Sequence, residues 1–351
     1  VVFRNHRPAA AENRLFQGRV LLQIEAVLAF AFLAGGHDFA QVLAGQLRAG
    51  DQCGDFLFFL DLPVDKLLDV GMVDVDYDHL GGAPRRAAGL NGAGGAVAFE
   101  HFPAQQLGKA KDMLSLVQSG VADIAYVGAS YSADKLPLSS VGELPEAFTN
   151  SCEGTKAFWE IAKPGGALDV AEYQEQGVRA LAALVLPPYQ LFASKEITGL
   201  DSINGWKVRV TGAPKIAGVK KLGGVPVAVP GPETREALSR GTVDAIAFPI
   251  GSIKPYDLAP HIETATQGTN FGAFVAVWMI SQSKYDELPE NVQTALTEAG
   301  AAATLNGCEA TDASADADKA FVAEQGVTFV DLPEADQAKL AEMMSSVGDE
   351  W

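Results

Sequence analysis

Arg209 stands in the middle of an apolar, strand-like run, Trp206–Val210 (WKVRV), with few other arginines nearby. Its planar guanidinium presents a fork of N–H donors that fits a carboxylate through two parallel hydrogen bonds. Taken alone, such an arginine reads as an exposed edge-strand residue or as half of a structural ion pair. The chain carries none of the common reaction motifs: no HExxH, GxSxG, Walker-type loop or CxxC. His101 and His261 are the only histidines after residue 95, and neither has a neighbouring nucleophile or metal-ligand spacing. No catalytic residue, metal ligand or cofactor is therefore expected.

The elements that position Arg209 belong to a chain of divided character. At 351 residues it is long enough for two lobes with separate cores. A net charge of −18 argues against a nucleic-acid partner, which would demand a basic patch. Residues 1–95 hold seven of the eleven arginines but one lysine, Lys66, and are rich in Gly and Ala without helical or alternating patterning. This stretch reads as an atypical extension: a gene-model artefact, a disordered segment or an unrelated addition. Within it, Val20–Gly36 is the one membrane-like run, too short in its apolar part to span ~20 residues of bilayer. Glu25 interrupts it, so no clear signal peptide is read.

From about Gly95, strand and helix signals alternate. Val97–His101 and Ala122–Val127 read as strands around a helix over Lys109–Ser119; Val225–Val229 and Phe274–Ile280 are further strands. Leu288–Ala313 and Ser314–Glu324 read as helix, Val327–Val330 as a late strand and Pro333–Val347 as a closing helix. One unit occurs twice. Met113–Gly128 and Thr234–Pro249 both run helix, Gly, two residues, Asp, strand, aligning Gly120 with Gly241 and Asp123 with Asp244. The pattern predicts two similar α/β lobes with a ligand cleft at the strand ends. Gly128 and Tyr131, at the end of the first-lobe strand, are candidate cleft residues. Cys53 falls in the extension; Cys152 and Cys308 are read either as two free buried thiols or as a disulfide, which an oxidising compartment would permit.

Three segments resemble the solute-binding proteins of TRAP (tripartite ATP-independent periplasmic) transporters. They are AQQLGKAKDMLSLVQSGVADIAYVG, DSINGWKVRVTGAPKIAGVKKLGGVPVAVPGPETREALSRGTVDAIAFP and SKYDELPENVQTAL. The similarity covers about residues 96–351 and implies a two-lobed α/β periplasmic binding protein fold (type II-like) with a long bracing helix. Lobe I is expected over 96–186 plus 273–312, and lobe II over 187–272 plus 313–351. The resemblance implies a periplasmic, monomeric carrier that captures a small organic acid and passes it to the permease subunits of a TRAP transporter. A sensory protein or enzyme on the same scaffold is the alternative. It also makes Arg209, in the family's K-[ILV]-R-[VT] strand, the carboxylate anchor.

The chain departs from the family where other ligand contacts are common. Phe248 replaces a polar Asn, Tyr189 takes a position often cationic or polar, and Phe271 stands where a His is frequent. With Trp278, these rings are candidate walls, which predicts a monocarboxylate on a largely apolar body. Lys254 reads as a solvated lysine or a rim cation. Residues 1–95 do not match the family's opening strand and helix, so the chain as written is expected to fold poorly or bind weakly.

Overall fold

The computed structural model describes residues 99–351 together with two short strands, β1 (Val2–Phe3) and β2 (Arg85–Ala87). The chain divides into two compact units, Val1–Arg4 with Leu67–Trp351, and Asn5–Lys66. The second unit, with the Val20–Gly36 stretch and Cys53, lies outside the described residues, as does most of the expected extension. β3 (Phe99–His101) is the middle strand of a small antiparallel sheet, with Phe99 opposite Phe3 on one side and Ala87 on the other.

The described chain then runs α1 (Met113–Gln118), β4 (Ile124–Gly128), α2 (Ser151–Ala162), β5 (Val178–Val185), β6 (Gln190–Ala193) and β7 (Lys207–Val210). It continues through α3 (Ala213–Lys221), β8 (Val225–Ala228), α4 (Thr234–Ser239), β9 (Ala245–Phe248), β10 (Thr264–Thr266) and β11 (Val275–Ser281). It ends with α5 (Gln282–Asp286), α6 (Glu290–Glu324), β12 (Thr328–Val330) and α7 (Glu334–Glu350). Strands β4–β12 fall into two further sheets. One is antiparallel, in order β4-β11-β5; the other is mixed, in order β12-β10-β6-β9-β7-β8. Each has its own apolar packing: Val117, Val127, Phe158 and Val277 beside the first, Leu191, Val208, Val219 and Met344 beside the second. The fold is a two-lobed α/β binding-protein architecture.

The repeated sequence unit has one local geometry in both copies. Gly120 and Gly241 end α1 and α4 with φ of +72° and +65°, the left-handed conformation that a side chain resists. Behind each, two successive amides return to one helix carbonyl, that of Leu116 or Ala237. Asp244 then accepts the Lys207 amide and the Lys195 ammonium, which fixes the entry to β9 against β7.

Two crossing segments join the sheets and lie side by side. Leu186 donates to the Phe274 carbonyl at 2.9 Å, Tyr189 to Gly272 at 2.8 Å, and Phe271 back to Tyr189 at 3.1 Å. The two helical readings over 288–324 fuse into one helix, α6, of 35 residues, about 52 Å long at the α-helical rise. It packs on α2 and β5 and, further along, on the turn after β9. Gly300 permits this approach, since a β-carbon there would strike the Leu181 carbonyl. A disulfide between Cys152 and Cys308 fastens α2 to α6, with the two Cα atoms 4.8 Å apart. No helix of the described residues is long and apolar enough to cross a membrane.

Candidate ligand-binding site

Strand alternation explains the position of Arg209. Val208 and Val210 point into the core shared with Val219 and Met344, which turns Arg209 to the opposite face of β7. It is 1% exposed. Its Nε donates to the Val229 carbonyl at 2.7 Å, and Nη1 reaches the Ala247 carbonyl at 3.5 Å, the outer limit of a hydrogen bond. The guanidinium carbon lies 4.7 Å from the centre of the Phe248 ring. Among the described residues no carboxylate pairs with it. A buried cation without a counter-ion is costly, and an incoming anion would supply the missing partner.

Aromatic rings enclose this charge. Tyr189 and Phe248 are both buried, with ring centres 6.0 Å apart, and Tyr256 meets Phe248 edge-on at 5.7 Å. Burial pushes the Tyr189 phenol well above its ordinary range; Arg209 pulls it down, while Tyr131, Glu143 and Tyr126 push it further up. Tyr189 thus senses groups carried by both sheets. Tyr131, just beyond β4, accepts the Gly231 amide hydrogen at 2.9 Å and packs on Phe274 at 5.2 Å.

The other expected contacts lie one layer back. The space beside Gly128 is filled by the rings of Phe274 and Tyr131, so this glycine makes room for side chains. Trp278 packs edge-on against Tyr126 at 5.2 Å. Phe271 is buried in the core with Val210 and Phe274, and meets Tyr189 through the backbone. Lys254 lies over the Phe321 ring at 5.1 Å. The structure therefore brings Arg209, Tyr189, Phe248 and Tyr131 together, backed by Gly128, with Trp278 behind Tyr126 and Phe271 in the core.

Several residues of this region carry no sequence signal of their own. Glu143 and Lys215, both fully buried, form an ion pair at 2.9 Å. Lys215 also donates to the Ala273 carbonyl, and Ser130 to the same Glu143 oxygen. The second Glu143 oxygen accepts the Val275 amide at 3.1 Å. Burial lowers the Lys215 pKa; Glu143 pushes it back up and Arg209 lowers it again. Seventy-two residues separate the pair, beyond the reach of any local pattern. Thr211, two residues past Arg209, has a buried hydroxyl with no hydrogen-bond partner among the described residues. Among the described residues, no three His, Cys, Asp or Glu side chains gather as a metal site.

Two α/β lobes joined by crossing segments, with a buried guanidinium that has no carboxylate partner among the described residues, suit a protein that encloses a small solute. The sequence model of bacterial extracellular solute-binding protein family 7 (DctP) matches residues 91–351, and the chain belongs to that family, the solute-binding proteins of TRAP transporters. An uncharacterized protein of Haemophilus influenzae is 29% identical over 210 residues, which span 58% of this chain and 62% of that one. The C4-dicarboxylate-binding periplasmic protein DctP of Rhodobacter capsulatus is 26% identical over 264 residues, covering 73% and 77%. A TRAP solute-binding protein from Rhodoferax ferrireducens, crystallised with copurified benzoate, superposes with a TM-score of 0.67 at 22% identity. That match covers 74% of this chain and 82% of the other. The family is one of transport proteins, not enzymes.

Proposed function

We propose that this chain captures a small organic monocarboxylate at Arg209 and delivers it to the membrane permease of a TRAP transporter. One observation carries the reading: the Arg209 guanidinium is buried, spends only part of its donor capacity on backbone carbonyls, and has no carboxylate partner among the described residues. Tyr189 and Phe248 make the surroundings apolar, which favours an aromatic or aliphatic body over a polyhydroxylated one. Each unmatched ligand hydroxyl would cost ~1–3 kcal/mol. The benzoate bound by the Rhodoferax relative fits this chemistry. Thr211 offers a second polar contact.

The same reading places the protein in the periplasm as a monomer. The Cys152–Cys308 disulfide agrees with an oxidising compartment. Lobe I would comprise 96–186 with 273–312, and lobe II 187–272 with 313–351, a division that keeps β4, β5 and β11 apart from β6–β10 and β12.

A thermal-shift screen of benzoate, mandelate, phenylacetate and malonate on the wild type and Arg209→Ala tests the reading. At least one acid should stabilise the wild type. The substitution should weaken that acid ~30-fold or more, the effect of truncating one side of a buried, hydrogen-bonded charge pair. An acid that binds the variant undiminished refutes the anchor.

A further inference from the structure

We infer that Glu143 is a specificity-determining residue, a resident carboxylate that occupies the second cationic position of the cleft and so excludes ligands with two carboxylates. This rests on the reading of Arg209 as the ligand anchor.

The region holds two buried cations in contrasting states. Arg209 and Lys215 flank the Tyr189–Phe248 ring pair: Arg209 is 4.7 Å from Phe248, and the Lys215 ammonium is 5.4 Å from Tyr189. Arg209 has no carboxylate among the described residues, whereas Lys215 already has Glu143 at 2.9 Å. The Lys215 position suits an anion for a further reason. It lies in the first turn of α3, a nine-residue helix whose N-cap, Gly212, provides no side-chain cap. The positive end of the helix dipole there favours negative charge. Gly212 has φ +83°, and a β-carbon on it would collide with the Glu143 carboxylate and the Ser130 hydroxyl. The glycine thus leaves room for the carboxylate that fills the position.

Glu143 is firmly held there. Lys215 and Ser130 donate to one oxygen and Val275 to the other, while the Glu143 carbonyl accepts the Ala273 amide at 3.3 Å. A diacid that set one carboxylate on Arg209 and sent the other toward Lys215 would meet a buried like charge, which specific sites use to reject wrong partners. Glu143→Gln keeps the shape and an acceptor oxygen but removes the charge, leaving Lys215 to receive the second carboxylate.

Phenylacetate and phenylsuccinate differ by one carboxymethyl arm, so the ratio of their affinities, measured by titration calorimetry at pH 7.5, reports the effect. The wild type should prefer phenylacetate at least tenfold. Glu143→Gln should shift the ratio at least tenfold toward phenylsuccinate. In the double variant Glu143→Gln/Lys215→Met, which removes both charges together, the preference for phenylacetate should return. A wild type that binds phenylsuccinate as tightly as phenylacetate overturns the inference, as does a folded Glu143→Gln with the wild-type ratio. If Glu143→Gln does not fold, the wild-type and double-variant ratios decide, and phenylsuccinate preference in either refutes it. Phenylacetate binding that survives Arg209→Ala overturns the anchor reading beneath; Arg209-dependent binding with an unshifted ratio overturns the filter alone.

Discussion

The Tyr131 hydroxyl accepts the Gly231 amide hydrogen at 2.9 Å, a direct bond between the segment that follows β4 in one sheet and the segment that follows β8 in the other. The two residues are one hundred apart in sequence, and the contact exists only while the sheets' ends face each other. The Tyr131 ring also packs on Phe274 at 5.2 Å. Tyr131→Phe removes the bond and keeps the ring. A neutral hydrogen bond contributes about 0.5–1.5 kcal/mol, so ligand affinity should fall roughly two- to tenfold. Calorimetry should show the loss while the unliganded melting temperature stays close to wild type.

Thr211 should reveal itself by opposite effects on stability and binding. Its buried hydroxyl has no partner among the described residues, and such a group destabilises the fold by about 1–3 kcal/mol. Thr211→Val should therefore raise the melting temperature of the unliganded protein. It should also weaken mandelate more than phenylacetate, because only mandelate carries a hydroxyl beside its carboxylate. Equal affinity changes for the two acids would remove Thr211 from the site.

The Cys152–Cys308 bond closes a loop with a sequence separation of 156. Loops of that size give roughly 5 kcal/mol in the chain-entropy account, with about 2–4 typical of measured disulfides. Reduction, or the paired substitution of both cysteines by serine, should lower the melting temperature by several degrees. Alkylation of the unreduced, denatured protein followed by mass measurement should leave this pair unlabelled.

Asp244 should make the fold acid-sensitive. Partial burial pushes its carboxyl up, but the Lys207 amide and the Lys195 ammonium outweigh that and hold it below the ordinary carboxylate range. A carboxyl depressed in the folded state contributes stability that is complete above its unfolded pKa, about 3.9, and is lost as pH falls through the folded value. Denaturation midpoints should thus drop below about pH 4 in the wild type. Asp244→Asn should be less stable at neutral pH and show a flatter acid limb.

Local chemistry made much of this legible in advance. The paired Gly120 and Gly241 turns follow from helix periodicity and the left-handed conformation that glycine alone accepts readily. Arg209 could be singled out only through the family resemblance, because a charged residue in an apolar strand reads by itself as an edge-strand arginine or half of an ion pair. Its unpaired state could not, since that depends on what β8, β9 and the crossing segments place around it. Glu143 and Lys215 were invisible for the same reason: each is an ordinary charged residue in its own stretch, and only tertiary packing buries them together. Gly128 shows the converse. Its type signals a close approach, but the chain could not specify that the neighbour would be Phe274.

The paired crossing segments have a mechanical consequence. Residues 186–189 carry Tyr189 to the Phe248 ring that lies under Arg209, and the Ala273 carbonyl in the adjoining segment is gripped by Lys215. The proposed recognition residues and the segments that join the sheets are therefore the same few peptide units. On the proposed binding role, a substitution in these units that retunes the choice of acid should also alter the connection between the two sheets.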